Sequence, residues 1–271
     1  WGDFKNVILP MIVGLLFIVL FVVRQLKLDE PFVDVKVFKN HQFALTTVSV
    51  MMAMMAMMGV EMMLPTYLQN VHTMSPLESG LTLLPGALMM GIMAPIAGSA
   101  YDKIGAKRLA LTGFSILAIG TVPFLFLTAS TPAHFITALY AVRMFGIAMA
   151  MMPLTAMAMS VLPPAEAPHA TAANNTARQV ASAVVVALLS SVTQNVISNN
   201  EPAKALSKTN PLQYGADYLD ASMKGFHVSF AIGLGFAIVG IVVAMFLKGG
   251  AIKAAGYSNH KPVDPQMKEA E

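Results

Sequence analysis

The chain has 271 residues, of which 56% are hydrophobic and 11% are charged, with a formal net charge of +3. A soluble domain of this length would carry about twice that fraction of charged residues, so the composition excludes an ordinary soluble protein. The small basic excess then concerns membrane topology and not nucleic-acid binding. Because the chain contains no cysteine, disulfides, thiolate metal sites and cysteine nucleophiles are also excluded.

Long apolar blocks follow one another along the chain, separated by residues typical of turns. A run of about 20 apolar residues is long enough for a helix to cross ~30 Å of hydrocarbon. We therefore predict an all-α integral membrane protein with seven transmembrane helices. In chain order the predicted spans are residues 7–26, 41–69, 80–100, 108–128, 133–162, 174–197 and 226–247.

Lysine and arginine predict the orientation, because cytoplasmic connections accumulate them. They cluster after the first span, after the third span and in the tail: Arg24, Lys27, Lys36, Lys39, Lys103, Lys107, Arg108, Lys248, Lys253, Lys261 and Lys268. The C-terminus is therefore expected in the cytoplasm and Trp1 outside. Residues 198–225 become a polar external loop that is long enough to hold a short surface helix, and residues 249–271 a disordered cytoplasmic tail. An odd number of spans that starts outside suggests a further odd number upstream.

The connection "GSAYDKIGAKR", from Gly98 to Arg108, has the features of a tight cytoplasmic turn. Gly98 permits close approach of helices, and Gly105 supplies a positive-φ turn. Asp102 lies at a helix end beside Lys107 and Arg108, so it can pair with a cation or cap a neighbouring helix. The alternative is an ordinary basic loop without a special role.

This connection resembles the signature loop of the major facilitator superfamily, which joins the second and third helices of each six-helix half. Without the first span, the loop lies between the second and third of the six remaining spans. In "ALYAVRMFGIAMAMMP", Arg143 is in the middle of the fourth helix, where the family often has Arg-x-x-x-Gly, although Gly146 comes one residue early. The segments "ATAANNTARQVASAV" and "MLPTYLQNVHTMSPLESGLTLLPGALMMGIMAPIAG" are similar to the fourteen-helix drug:proton antiporters, which insert two helices between their halves.

The resemblance implies a domain organisation and a function. Residues 1–40 would be the second inserted linker helix with its basic connection, and residues 41–248 the C-terminal six-helix transporter bundle. The implied protein is a multi-pass plasma-membrane multidrug efflux transporter. Its two bundles would rock about a central site and exchange drugs for protons, with Asp102, Lys107 and Arg108 as a cytoplasmic latch. The implied partners are membrane lipids, the missing N-terminal half-bundle and small amphipathic or cationic substrates. The proton gradient would supply the energy, with no cofactor.

One face of the second span combines a carboxylate, thioethers and a hydroxyl. Spacings of three and four residues place these side chains on one side of a helix: Thr47, Met51, Met54, Met58, Glu61 and Pro65. A carboxylate in the lipid core costs about 2.5–3.5 kcal/mol, so Glu61 is expected to face protein or water. Methionine is flexible and polarizable, which suits a surface that accommodates several apolar shapes.

These residues predict a cavity wall in which Glu61 is a proton site or cation partner, with Met54 and Met58 beside it. The alternative places Glu61 in interfacial water or a structural pair, and the methionines in plain packing or against lipid. Arg143 is expected to face the bundle interior and pair with a carboxylate or backbone carbonyls, and Glu61 is its candidate partner by elimination. Copper(I) binding by the methionines is disfavoured, because no cysteine or histidine accompanies them.

The remaining candidates are weaker. Four polar residues begin the sixth span and form either a cytoplasmic gate or a capping and anchoring group: Asn174, Asn175, Arg178 and Gln179. "GLGFAIVG", Gly233–Gly240, is interpreted as a close helix-packing face and not as a nucleotide loop. No serine or carboxylate pair has the arrangement that hydrolysis needs, so no enzyme and no metal site is predicted. Two alternatives remain for the function: a non-transporting or split-gene half that acts only with a partner, and an exporter of a physiological metabolite.

Overall fold

The computed structural model of the chain describes residues 9–27, 35–163, 166–202 and 209–248, and the predicted disordered tail lies outside these ranges. The described secondary structure is helical, which confirms the all-α prediction. The helices are α1 (Leu9–Lys27), α2 (His41–Glu61), α3 (Met63–Asn70), α4 (Pro76–Ile104), α5 (Ala106–Thr121), α6 (Ala133–Ser160), α7 (Ala167–Asn200) and α8 (Pro211–Met245). Short 3-10 helices cover Val35–Lys39 and Val122–Phe126.

Six helical stretches of the described chain are long and apolar enough to cross a membrane. They are His41–Asn70, Pro76–Ile104, Ala106–Phe126, Ala133–Ser160, Ala167–Asn200 and Pro211–Met245. They correspond in order to the last six predicted spans. The first predicted span forms α1, which is not among the six but exposes large apolar side chains around its circumference, such as Phe17, Ile18, Val19 and Leu20.

Four helices begin earlier than the sequence pattern predicts, and the difference is largest for α7 and α8. α7 starts at Ala167, so Asn174 lies inside the helix and not at its beginning. α8 starts at Pro211, where the Asn210 side chain accepts a hydrogen bond from the Gln213 amide and proline occupies the first turn. Residues 211–225 are therefore the first part of α8. The prediction that residues 198–225 form a loop is wrong for this part of the chain. The sequence pattern placed the helix start at the first residue of the apolar block. The helix in fact begins earlier, because polar residues preceding that block are also helical.

The core of the bundle lies among α2, α5, α6 and α8, with α4 packed on α6 and α7 packed on α2 and α8. Two crossings bring helix backbones into direct contact. A Cβ atom added to Gly113 of α5 would lie 2.7 Å from the Gly146 carbonyl oxygen of α6. A Cβ atom added to Gly59 of α2 would lie 2.7 Å from the Gly233 Cα of α8. The predicted packing role is therefore confirmed for Gly233, and for Gly240, which packs against Phe114, but not for Gly235, whose added Cβ atom would meet no described atom within 4 Å.

Hydrogen bonds between distant residues tie the helices together at both ends. At one end, called the Gly105 end, the Lys107 ammonium donates to the Met245 carbonyl and the Asn40 amide donates to the Val161 carbonyl. At the other end, called the Thr128 end, the Tyr67 hydroxyl donates to the Thr128 carbonyl at 2.8 Å. These contacts fix which loops share a side of the bundle.

Candidate functional site

Glu61 lies at a break in a membrane-spanning helix. α2 ends at Glu61, Met62 forms a turn, and α3 begins at Met63. The sequence explains the break, because Pro65 stands four residues after Glu61. Proline has no amide hydrogen to donate to the Glu61 carbonyl, and its ring collides with that carbonyl. The only acidic residue of this span thus lies where the regular hydrogen bonding of the helix is interrupted.

The methionine face of α2 is partly open. Met54, Met58 and Glu61 are half-buried, whereas Ala53 and Ala56 on the other side of the helix are fully buried. The similar exposure of Met54, Met58 and Glu61 agrees with the prediction that they share one face of the helix. Thr47, further along the same face, is buried, and its hydroxyl has no hydrogen-bond partner within the described structure. The open part of the face therefore runs from the middle of α2 to its break.

Arg143 is completely buried in the middle of α6, with 0% of its surface exposed. Its Nη2 atom donates a 3.0 Å hydrogen bond to the Ala56 carbonyl of α2, and its guanidinium carbon lies 5.6 Å from the centroid of the Phe124 ring. Gly120 of α5 makes room for the stem, since a Cβ atom there would lie 3.2 Å from the Arg143 Cγ. The expected interior position and carbonyl partner are both present.

Glu61 and Arg143 lie on packed helices but do not form an ion pair. Their charges interact electrostatically with each other and with the Tyr140 side chain, but no ion pair within 4.0 Å joins them. Glu61 Oε2 and the Arg143 Nε and Nη1 atoms are buried without a hydrogen bond in the part of the chain described. Sequence reasoning missed Tyr140, although its position one helical turn before Arg143 places both side chains on one face of α6.

The signature loop adopts part of the expected geometry. Gly105 has a φ of 84°, so the predicted positive-φ turn is confirmed, and its amide donates to the Tyr101 carbonyl at 2.9 Å. Lys107 places its charge at the C-terminal end of α8, where the helix dipole and free carbonyls favour a cation. Arg108 is exposed.

Two expectations for this loop are not met. Asp102 is exposed and forms neither an ion pair nor a helix cap with any described residue, because α5 is preceded directly by Gly105. Gly98 makes no close helix contact either, since a Cβ atom there would meet no described atom within 4 Å. Within the described chain, neither residue therefore contributes to the packing of the bundle.

The four polar residues of α7 lie inside that helix. Asn174 is buried and its Oδ1 atom is unpartnered in the described structure, Arg178 is half-buried, and Asn175 and Gln179 are exposed. On the exposed side, further along α7, the Ser190 hydroxyl makes a weak hydrogen bond to the Met62 sulfur. α7 therefore passes directly beside the break in α2. Among the described residues, no group of three or more histidines and carboxylates could hold a metal ion.

Comparisons with known proteins agree with this architecture. The model of the Major Facilitator Superfamily matches residues 6–186. The chain is 36% identical over 248 residues to the uncharacterized MFS-type transporter YcnB of Bacillus subtilis, covering 92% of this chain and 50% of the relative. It is 33% identical over 249 residues to the lincomycin resistance protein LmrB of Listeria innocua, covering 92% and 51%. The riboflavin transporter RibZ of Clostridioides difficile is 24% identical over 87% of this chain and 49% of its own length.

The chain thus spans about half the length of the curated relatives it matches. The family match covers most of the described bundle, and the helical order agrees with it. This chain belongs to the Major Facilitator Superfamily.

Proposed function

We propose that this chain is the C-terminal half of a proton-coupled multidrug efflux transporter that works by alternating access. The observation that carries the proposal is the half-buried Glu61 carboxyl at the α2 break, beside flexible thioethers. Similarity to a protein named for lincomycin resistance supports drugs as the class of solute. The half-length match supports a second bundle as its partner.

The proposed exchange uses one carboxyl for two ligands. In a low-dielectric cavity, a carboxyl can hold a proton or pair with a cationic solute, and occupation by one disfavours the other. Met54 and Met58 would contact the apolar body of the solute, since thioether side chains adapt to different shapes. Proton entry then releases the solute, and the proton gradient drives export without a cofactor.

The faces left open on the bundle support a missing N-terminal half-bundle. α4 exposes a row of large apolar side chains with helical spacing: Leu77, Leu81, Leu84, Leu88, Ile92 and Ile96. α7 combines apolar residues with the exposed Asn175 and Gln179. We propose that the apolar row of α4 contacts lipid. The exposed polar residues of α7 would instead contact a facing half-bundle or a water-filled cavity. α1 would be the linker helix between the halves.

The Gly105 end is proposed to be the cytoplasmic side of the plasma membrane, together with the C-terminus, because it carries most of the basic residues. There Lys107 anchors α8, while Asp102 and Arg108 are left to contact the facing half-bundle when that side closes. Asn174, Asn175, Arg178 and Gln179 lie on α7 between this end and Glu61. We propose that they form a cytoplasmic gate for the solute, and the alternative is a capping and anchoring group.

Dye efflux from cells that express the complete gene tests the proposal. Efflux should stop when a protonophore collapses the proton gradient, and Glu61→Gln should lower it at least tenfold. Glu78→Gln is the matched control: Glu78 caps α4 through the Ser75 amide and hydroxyl, and glutamine can keep that cap. Proton-coupled efflux of every dye by Glu61→Gln would remove Glu61 from the mechanism.

A second candidate function is transport of a physiological metabolite, because RibZ, a relative named as a riboflavin transporter, matches most of the chain. Cells that express the complete gene would then change their riboflavin content but show no gain in drug tolerance. The remaining alternative is a half-transporter that acts only with a separately encoded partner. Co-expression with a neighbouring half-transporter gene would then be required for efflux.

A further inference from the structure

Half-buried methionines cluster on the same face of α2 as Glu61. Five of them form what is called here the open methionine face: Met51, Met54, Met57, Met58 and Met62. Each packs at the edge of the apolar core. Met55 and Met63, on other sides of the same membrane span, are buried, with only 8% and 7% of their surfaces exposed. The span therefore carries two classes of methionine, and direct neighbours in sequence belong to different classes.

The acid on the open methionine face indicates what covers it. Glu61 is half-buried, and a carboxyl group that contacts hydrocarbon is costly, so lipid is an unfavourable neighbour for this face. The methionines beside Glu61 are then expected to border the same water as the carboxyl group. Met89 of α4 differs, because it lies next to Leu88 in a surface of large exposed apolar side chains. With 37% of its surface exposed, Met89 is more open in the bundle than Met54 or Met58, but its surroundings suit lipid.

A thioether that borders water can be oxidised. Its sulfur lone pair attacks one oxygen of a peroxide, the O–O bond breaks, and with hydrogen peroxide the products after proton transfer are a sulfoxide and water. The sulfur loses two electrons and the peroxide gains them, so no further reactant is needed. Because the sulfur and the peroxide must meet, a buried thioether reacts more slowly than one that borders a water-filled passage.

We infer that the open methionine face of α2 is a site of oxidation by peroxides, and that sulfoxides at Met54 and Met58 lower the transport of apolar solutes. The effect on transport rests on the proposed function, which makes this face a solute-binding wall. A sulfoxide replaces a flexible apolar group by a polar, chiral one. An apolar solute then covers an oxygen atom to which it donates no hydrogen bond, and its binding is weakened.

An oxidation map of the complete protein in phosphatidylcholine vesicles tests the site. After graded exposure to hydrogen peroxide, mass spectrometry gives the rate of sulfoxide formation at each methionine, and fragment ions separate neighbouring residues. Met54 and Met58 should be oxidised about tenfold faster than Met55, and also faster than Met89. Exposure in the bundle alone predicts the opposite order for Met89. Oxidation of Met89 ahead of Met54 and Met58 would overturn the inference, because the open methionine face would then be closed to water.

Dye transport by the same vesicles, driven by an imposed pH gradient, tests the consequence. Oxidation should lower the transport rate of the wild type about fivefold or more. Met54→Leu/Met58→Leu keeps apolar side chains of similar volume that form no sulfoxide, so this variant should retain most of its own untreated rate. Met89→Leu is the matched control and should stay as sensitive as the wild type. An equal fractional loss in the wild type and in Met54→Leu/Met58→Leu would show that oxidation acts elsewhere, against the inference.

The two measurements separate this inference from the proposed function. If untreated vesicles move no dye in response to the pH gradient, the proposed function and the effect on transport both fail, whereas the oxidation map still decides whether the face borders water. If untreated vesicles move dye but Met54 and Met58 remain thioethers, the proposed function stands and the inference is wrong. The map uses the wild type, so it remains decisive even if Met54→Leu/Met58→Leu folds poorly.

Discussion

Restoring the helix at its break should stabilise the protein and slow transport. In Pro65→Ala, the new amide can donate to the Glu61 carbonyl, so α2 and α3 can join into one continuous helix. A hydrogen bond of this kind contributes about 0.5–1.5 kcal/mol, and proline in a helix interior costs about 3 kcal/mol relative to alanine. The straight form should therefore gain about 1–3 kcal/mol.

The same free energy sets the expected loss of transport. If the cycle passes through conformations bent at Glu61, favouring the straight form by about 1–3 kcal/mol lowers the population of the bent form about 5- to 150-fold. The assays are thermal unfolding of the purified complete protein and initial dye efflux in cells at equal expression. Opposite signs are expected: a higher unfolding temperature and slower efflux.

Pro85→Ala is the matched control, because Pro85 removes a backbone hydrogen bond from the continuous helix α4 and has no acidic residue four positions before it. It should raise stability in the same way and leave efflux within about twofold, a change below 0.5 kcal/mol. Wild-type efflux in a stabilised Pro65→Ala variant would refute the idea that bending at Glu61 belongs to the cycle. A destabilised Pro65→Ala would show that the break is required by packing.

Three further variants test the bundle. Gly113→Ala places a methyl group against the α6 backbone and should lower the free energy of unfolding by about 1–3 kcal/mol. Gly91→Ala, where the added methyl group would lie in open space, should leave it unchanged. Equal unfolding temperatures of the two variants would refute the close crossing of α5 and α6. Lys107→Gln should cost about 0.3–1 kcal/mol in low salt and less in high salt, and a salt-independent effect would exclude the helix-end contact. Tyr67→Phe should lower the free energy of unfolding by about 1–2 kcal/mol, and an unchanged value would show that its hydroxyl contributes nothing at the Thr128 end.

Local sequence information was sufficient for most of the architecture. Apolar blocks and turn residues determine where six spans lie, and the left-handed turn at Gly105 follows from a glycine between two helices. The interior position of Arg143 follows from the cost of a charge in lipid. The start of α8 could not be placed in this way, because helix capping at Asn210 extends the helix through polar residues.

Contacts between distant parts of the chain were not accessible from sequence patterns. Lys107 donates a hydrogen bond to a carbonyl that lies 138 residues further along the chain. Tyr140 interacts electrostatically with Glu61 because α2 and α6 pack together. The helical wheel placed Pro65 on the same face as Glu61. That Pro65 also separates α2 from α3 at Glu61 is shown only by the structure.

Proton release on solute binding tests the central claim most directly. The complete protein, purified in weakly buffered detergent solution with a pH indicator, is mixed with a cationic dye that it exports. The account predicts a stoichiometric release of protons by the wild type and none by Glu61→Gln, with Glu78→Gln like the wild type. Equal proton release by Glu61→Gln, with the dye still bound, would contradict the exchange of proton and solute at Glu61.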